Sequence, residues 1–363
     1  MNLLIRNALL ALAFALAVAQ AMTGDPRDQK INAVFRYITH DAPGAAALVI
    51  RSGQVSFEHG YGVTDLRSET MIGPVTNFRL ASVSKQFTAM AIMLLVHDGR
   101  LRYDQKLTDL FPAFPAYGKT ITIRNLLNHT SGLLDYEDLM GPEYTEERQI
   151  QDEEVLALLE KQDHTRFVPG SRWEYSNSGY VVLGTVVAKV SGVPFRQFLH
   201  DRIFAPLHMD GTVAYQRGKN EVMNRAFGHT LENGNWKQTD QSSTSATLGD
   251  GGIYSSLNDL AKWDRALREH ALLGEGEMRA ALTPVPLPDA SALSPEGKPA
   301  QYGFGWFLDP YRGHERMWHY GETVGFRSAI ERFPKDQLTV IVLANRTDED
   351  AWKLALKIAD LFF

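Results

Sequence analysis

The sequence contains no cysteine in its 363 residues. That excludes disulfides, thiol nucleophiles and a lipid-modified cysteine at a processing site. It also lacks any basic run or patch. Lys and Arg number 37 against 43 Asp and Glu, a formal net charge of −6, so no nucleic-acid partner is expected. No apolar run comfortably reaches the roughly 20 residues a spanning helix needs. Four motifs are missing: G-x-S-x-G, H-E-x-x-H, the P-loop and G-x-G-x-x-G. The 11 histidines show no ligand spacing, so no metal site is expected.

What is present reads as an ordinary globular chain with a sizeable core, 44% apolar and 22% charged. Residues 1–21 stand apart. Arg6 precedes an apolar run from Ala8 to Ala19, and Ala19-Gln20-Ala21 closes it. A positive start, a short apolar stretch and a small-residue end predict a secretory signal, with an uncleaved anchor as the alternative. The expected mature chain is periplasmic or secreted, with no stable membrane insertion.

Apolar spacing then divides residues 22–363, expected to form one domain. Helical spacing covers residues 27–40. Strand-length runs at Ala45–Ile50 and Gln54–Tyr61 flank Arg51-Ser52-Gly53, a hairpin signal. Helical patterns follow over Ser82–Asp98, Asp104–Phe111, Thr122–Leu127, residues 152–162, Tyr180–Val190, Phe195–Ile203 and Leu257–Arg268, the last capped by Ser256 or Asn258. Asp210–Thr247 reads as irregular and residues 283–300 as a surface loop. Near the C-terminus the period shortens to strands at Tyr302–Leu308, Arg316–Tyr320, Gly325–Phe333 and Leu338–Leu343, before a final helix at Ala351–Phe362. Strands at both ends and helices between them predict an α+β fold. One antiparallel sheet would come from about residues 27–80 and 300–363, flanked by terminal helices, with a helical region at about 82–280 inserted.

Three stretches carry chemistry. In Ser82-Val83-Ser84-Lys85, a helix turning once per about 3.6 residues puts an amine beside a hydroxyl at the helix start. The others are Tyr175-Ser176-Asn177 and His319-Tyr320-Gly321-Glu322. Ser-x-x-Lys, Tyr-x-Asn and Lys/His-x-Gly in this order resemble the serine β-lactamase and penicillin-binding-protein superfamily. The resemblance is specifically to its class C β-lactamase-like branch, with related esterases and D-amino-acid peptidases. Leu126-Leu127-Asn128-His129-Thr130-Ser131-Gly132-Leu133, Pro169-Gly170-Ser171-Arg172-Trp173 and Gly251-Gly252-Ile253-Tyr254-Ser255-Ser256 support it, and the resemblance covers about residues 30–345.

The resemblance implies a Ser82 acyl-enzyme that needs no metal or organic cofactor, with Lys85 or Tyr175 as base and Asn177 holding both Lys85 and the substrate carbonyl. The backbone N–H groups of Ser82 and Glu322 would form the oxyanion hole, and His319 and Gly321 would lie on the substrate strand. Taken singly, His129 reads as a structural residue of the cleft wall and Asp250 as a loop contact, while Trp173, Trp306 and Trp318 read as core. Many relatives have Lys-Thr-Gly where this chain has His319-Tyr320-Gly321. A mostly neutral histidine, a bulky tyrosine and Glu322 would receive an anionic β-lactam poorly. The expected substrate is a small ester, or an amide or peptide with a free amine. β-Lactam hydrolysis ranks second and D,D-carboxypeptidase activity third. A non-catalytic protein binding peptidoglycan or a partner is the rival from another class.

Overall fold

The computed structural model describes residues 25–284, 297 and 301–363. The proposed signal at 1–21 and most of the expected loop at 283–300 lie outside the described residues. Ten strands follow in chain order: β1 (Ala45–Arg51), β2 (Gln54–Tyr61), β3 (Phe78–Arg79), β4 (Val213–Ala214), β5 (His229–Glu232), β6 (Asn235–Gln238), β7 (Ile253–Ser255), β8 (Met317–Thr323), β9 (Phe326–Phe333) and β10 (Leu338–Ala344).

The main sheet has the order β2-β1-β10-β9-β8, and every pairing in it is antiparallel. As expected, it is assembled from both ends of the chain. β1 (Ala-Ala-Ala-Leu-Val-Ile-Arg) is buried on both faces up to its final arginine. Ala46, Leu48 and Ile50 enter the larger core with the central helices. Ala45, Ala47 and Val49 pack in a second core with helices Pro26–Val34 and Ala351–Ala359. A strand covered on both sides must be apolar throughout, whereas the polar β2 is an outer strand. Ser52 and Gly53, at φ 48° and 76°, supply the left-handed pair that a two-residue hairpin turn needs.

Helix Lys85–His97 runs through the larger core and is buried from Lys85 to Leu95. It packs against helix Asn177–Ser191. Ser176 caps that second helix by accepting from the Gly179 N–H at 3.0 Å, so it begins three residues before the apolar run at Tyr180. Ser256, not Asn258, caps helix Leu257–Glu269.

Two stretches differ from expectation. Tyr302–Leu308 is not a strand. It folds back through Gly303 and Gly305, giving only isolated bridges from Phe307 to Tyr302 and Trp318. Gly305 sits at φ 78°, and a Cβ there would lie 2.9 Å from the Gln86 Cα, so the turn crosses close over the start of the central helix. Asp210–Thr247 is less irregular than its composition suggests. It contains β4 and a β5–β6 hairpin turned by Asn233 and Gly234 at φ 50° and 79°.

Candidate active site

β3 delivers the chain to Ser82. It pairs with β7, Arg79 opposite Tyr254, and the Leu80 N–H donates to the Ile253 carbonyl at 2.8 Å. This pairing brings the Asp250 loop against the Ser82 turn although 165 positions separate Lys85 from Asp250. Ala81 adopts φ 47°, a left-handed conformation uncommon for a residue with a Cβ. A tight turn, Ala81–Ser84, then leads directly into the helix beginning at Lys85.

Lys85 Nζ is held by three oxygens: Ser82 Oγ at 3.0 Å, Asn177 Oδ1 at 2.9 Å and the Asp250 carbonyl at 2.9 Å. The side chain is fully buried. Burial lowers its pKa from 10.5 to about 8, against the opposing charges of Asp250, Glu137 and Asp135. The Tyr175 ring lies 4.9 Å from the same Nζ. Desolvation pushes the Tyr175 phenol well above its usual value, with a hydrogen bond to Ser82 acting the other way. The Asn177 amide nitrogen faces Glu137 Oε1 at 3.5 Å.

Gly321 lies on β8, the outer strand beside the Ser82 turn. A Cβ at Gly321 would sit 2.1 Å from the Leu80 carbonyl and 3.0 Å from the Ser82 nitrogen, so only glycine lets the strand approach. Ser328, opposite Gly321 on β9, donates through Oγ to the same Leu80 carbonyl at 2.6 Å. Glu322 follows with an exposed side chain on the strand face opposite Gly321.

His319 is placed differently from the expectation of substrate contact. It has no exposed surface. Its ring nitrogens meet the Tyr302 hydroxyl at 3.0 Å and the Tyr320 carbonyl at 2.6 Å. Burial first, and then Lys85, depresses its pKa to about 3. The ring therefore belongs to the wall behind the cleft and carries no charge at neutral pH.

His129 is a wall residue, as its context suggests. Its Nδ1 accepts the Ser176 N–H at 3.1 Å, and its ring lies 4.3 Å from that of Tyr175. Trp306 and Trp318 are core, while Trp173 is half-buried beside Tyr175. Three participants were missed from the sequence. The Asp250 carbonyl, read there as a loop contact, anchors Lys85. Only the glycine pair after it hinted at a close backbone approach. Ser328 was recoverable only from strand register, and nothing local marks Tyr302. Among the described residues no group of three or more His, Asp or Glu is arranged to hold a metal ion.

Chemically, the arrangement offers a hydroxyl beside a partly neutral amine, a carboxamide that holds the amine, and an outer strand that packs against the turn carrying the hydroxyl. That set suits attack on a carbonyl.

The Beta-lactamase family model matches residues 16–361 of this chain. Penicillin-binding protein 4* of Bacillus subtilis (strain 168) is 29% identical over 323 residues, covering 85% of this chain and 69% of its own length. The penicillin binding protein from Bacillus halodurans superposes with a TM-score of 0.78 at 27% identity, over 93% of this chain and all of its own. The D-amino acid amidase from Ochrobactrum anthropi SV3 shares the fold, with a TM-score of 0.76 at 24% identity over 91% of this chain and 98% of its own.

Proposed function

Because this chain belongs to the Beta-lactamase family, within the serine β-lactamase and penicillin-binding-protein superfamily, we propose that it is a serine hydrolase acting through a Ser82 acyl-enzyme on a small ester or amide. One observation carries this reading: Lys85 Nζ lies 3.0 Å from Ser82 Oγ, buried, with its pKa lowered to about 8. Neutral Lys85 takes the Ser82 proton as Oγ bonds to the substrate carbonyl carbon. The carbonyl oxygen becomes an oxyanion between the N–H groups of Ser82 and Glu322. As the tetrahedral centre collapses, the bond to the leaving alcohol or amine breaks, and the Lys85 ammonium returns a proton to it with Tyr175 in the path. Water then attacks the Ser82 ester carbonyl as Lys85 takes its proton; the acyl–Oγ bond breaks, Lys85 passes that proton to Oγ, and the acid departs with Ser82 and neutral Lys85 restored.

The charge around Asn177 favours a neutral or amine-bearing acyl group over an anionic β-lactam. Glu137 touches the Asn177 amide. Burial first, and then the charges of Asp135 and Asp250, raise the pKa of Glu137; burial first, and then Asp138 and Asp250, raise that of Asp135, so several carboxylates repel one another here. An arriving carboxylate adds to that crowding, and an ammonium relieves it. His319, uncharged, offers no compensating cation. β-Lactamase or D,D-carboxypeptidase activity ranks below esterase and D-amino-acid peptidase activity, and a non-catalytic binding role ranks last.

A fluorescent fluorophosphonate should label the wild type and not Ser82→Ala; a chain that takes no serine-dependent label is a binding protein. Turnover of a p-nitrophenyl ester, a D-alanyl anilide and nitrocefin ranks the substrates, and cephalosporin turnover matching the best ester would reverse the charge argument. Export rests on residues 1–21 alone, and the mass of the mature protein tests it.

A further inference from the structure

The acyl-transfer steps leave one ring of the site without a task. His319 is fully buried, yet both its nitrogens are engaged. The Tyr302 phenol is held protonated by its own burial, so its O–H can donate to Nε2. The Tyr320 carbonyl, 2.6 Å from Nδ1, can only accept. A bare Nδ1 there would set two lone pairs against each other, so the proton sits on Nδ1 and Tyr302 donates to Nε2. The tautomer follows from the partners.

The accepting carbonyl belongs to the Tyr320–Gly321 peptide, one peptide before the Glu322 N–H. This run of β8 is otherwise held by β9 and by contact with the Ser82 turn. Gly321 pairs with Ser328, and Ser328 ties the Leu80 carbonyl at 2.6 Å. We propose that His319 is a positioning residue whose neutral Nδ1–H clamps the Tyr320 carbonyl and so fixes the backbone that presents the Glu322 oxyanion donor. The proposal rests on the acyl-enzyme reading above. It assigns this position a backbone-holding task in place of contact with a substrate anion. The titratable groups around the ring are Lys85, Tyr175, Tyr302, Tyr320 and His129. Lys85 is the cation among them, and its charge opposes protonation of His319. The clamp therefore keeps one protonation state across the working range.

The test compares His319→Asn with His319→Gln, using a neutral p-nitrophenyl ester and thermal melting to confirm folding. Asn places an N–H near the Nδ1 position, while Gln reaches toward Tyr302 and leaves the Tyr320 carbonyl without a donor. The expected result is a kcat for Asn within about tenfold of wild type and a loss for Gln approaching the 10² typical of a missing oxyanion donor. KM should stay within about threefold for both, because the loss falls on the transition state. The wild-type pH profile should show no limb near 6.5. Gln as active as Asn, a loss carried by KM, or a limb near 6.5 that Asn abolishes would each overturn the clamp. Fluorophosphonate labelling separates the two levels: labelled, folded variants with the wrong order refute the clamp alone, whereas wild-type turnover that survives Ser82→Ala refutes the acyl-enzyme reading and the clamp with it.

Discussion

Lys85 makes the most quantitative prediction. A solvated lysine near pKa 10.5 has only about 3 in 10⁴ of its molecules neutral at pH 7. With burial lowering the value to about 8, the neutral fraction becomes about one-tenth at pH 7, about one-half at pH 8 and about nine-tenths at pH 9. If neutral Lys85 is the base in free enzyme, kcat/KM for a neutral ester must climb about tenfold between pH 7 and 9, with a single-proton bend near 8 and a plateau above. The measurement is initial rates with p-nitrophenyl butyrate from pH 6 to 9.5, corrected for spontaneous hydrolysis. Lys85→Arg keeps a cation that does not deprotonate, and it should lose about 10³ or more at every pH. A profile still rising in proportion to hydroxide through pH 9.5 would assign the base to a Tyr175 phenolate and defeat the reasoning; a flat profile from 6 to 9 would do so equally. The same shift has an equilibrium signature. The unfolded lysine keeps its proton to about 10.5 while the folded one releases it near 8. Between those values the unfolded chain binds more protons, so this group's contribution to stability rises with pH. Below pH 8 both forms are protonated and the full cost of the buried ammonium stands, about 3 kcal/mol.

Gly321→Ala should reduce kcat by about 10²–10³ with the protein still folded, because its Cβ displaces β8 from the Leu80 carbonyl and the Ser82 nitrogen; near-normal turnover would mean that β8 does not supply the second oxyanion donor. Ser328→Ala removes a buried 2.6 Å hydrogen bond to Leu80 and should lower stability by about 1 kcal/mol in a urea titration, with a larger fall in kcat than in ester affinity. Glu137→Gln should raise KM for an amine-bearing anilide about tenfold while changing neutral-ester KM little; equal effects on both would remove the amine preference. Asp152 is buried, and its carboxyl is raised well above its usual value by desolvation first and by Asp250 and Glu153 after it. Stability from this group is present below its unfolded pKa and lost as pH rises through the folded one. Asp152→Asn keeps an acceptor for the Leu248 N–H, now held at 2.9 Å, and its Tm advantage over wild type should grow from pH 4 to pH 8.

Local pattern and distant pairing divide what was legible beforehand. The sheet strands were visible because β1 and β10 run apolar at strand length, and the Ser82–Lys85 pair because one helical turn stacks it. The roles of Tyr175 and Asn177 came from order along the chain, since a tyrosine and an asparagine after Pro169-Gly170 have no local meaning. The misreadings share a physical cause. Tyr302–Leu308 has strand composition, but two glycines let it fold back over the Lys85 helix, a tertiary constraint that composition does not carry. Asn233-Gly234 was a hairpin signal obscured by polar surroundings. His319 has the residue type of a substrate contact, and only the position of Tyr302, 17 residues earlier, turns it into a wall group. Asp250 acts through its carbonyl, which every residue possesses and no sequence advertises.

β1 and β10 meet at the middle of the sheet, and the Gly44 N–H donates to the Asn345 side chain 301 positions away. For a chain emerging from the ribosome this is a late event. Ser82, Lys85, Tyr175 and Asn177 would all have left the exit tunnel before β9 and β10 exist to hold β8 in place. A nascent chain stopped short of residue 338 carries Ser82 and Lys85 but not the central strand that anchors β9 and, through it, β8. Synthesis is therefore self-gating. The candidate site closes only once β10 has been made, at the cost of the slow ordering that such distant pairing brings. The unpaired flank of β1 is exposed to other chains in the meantime.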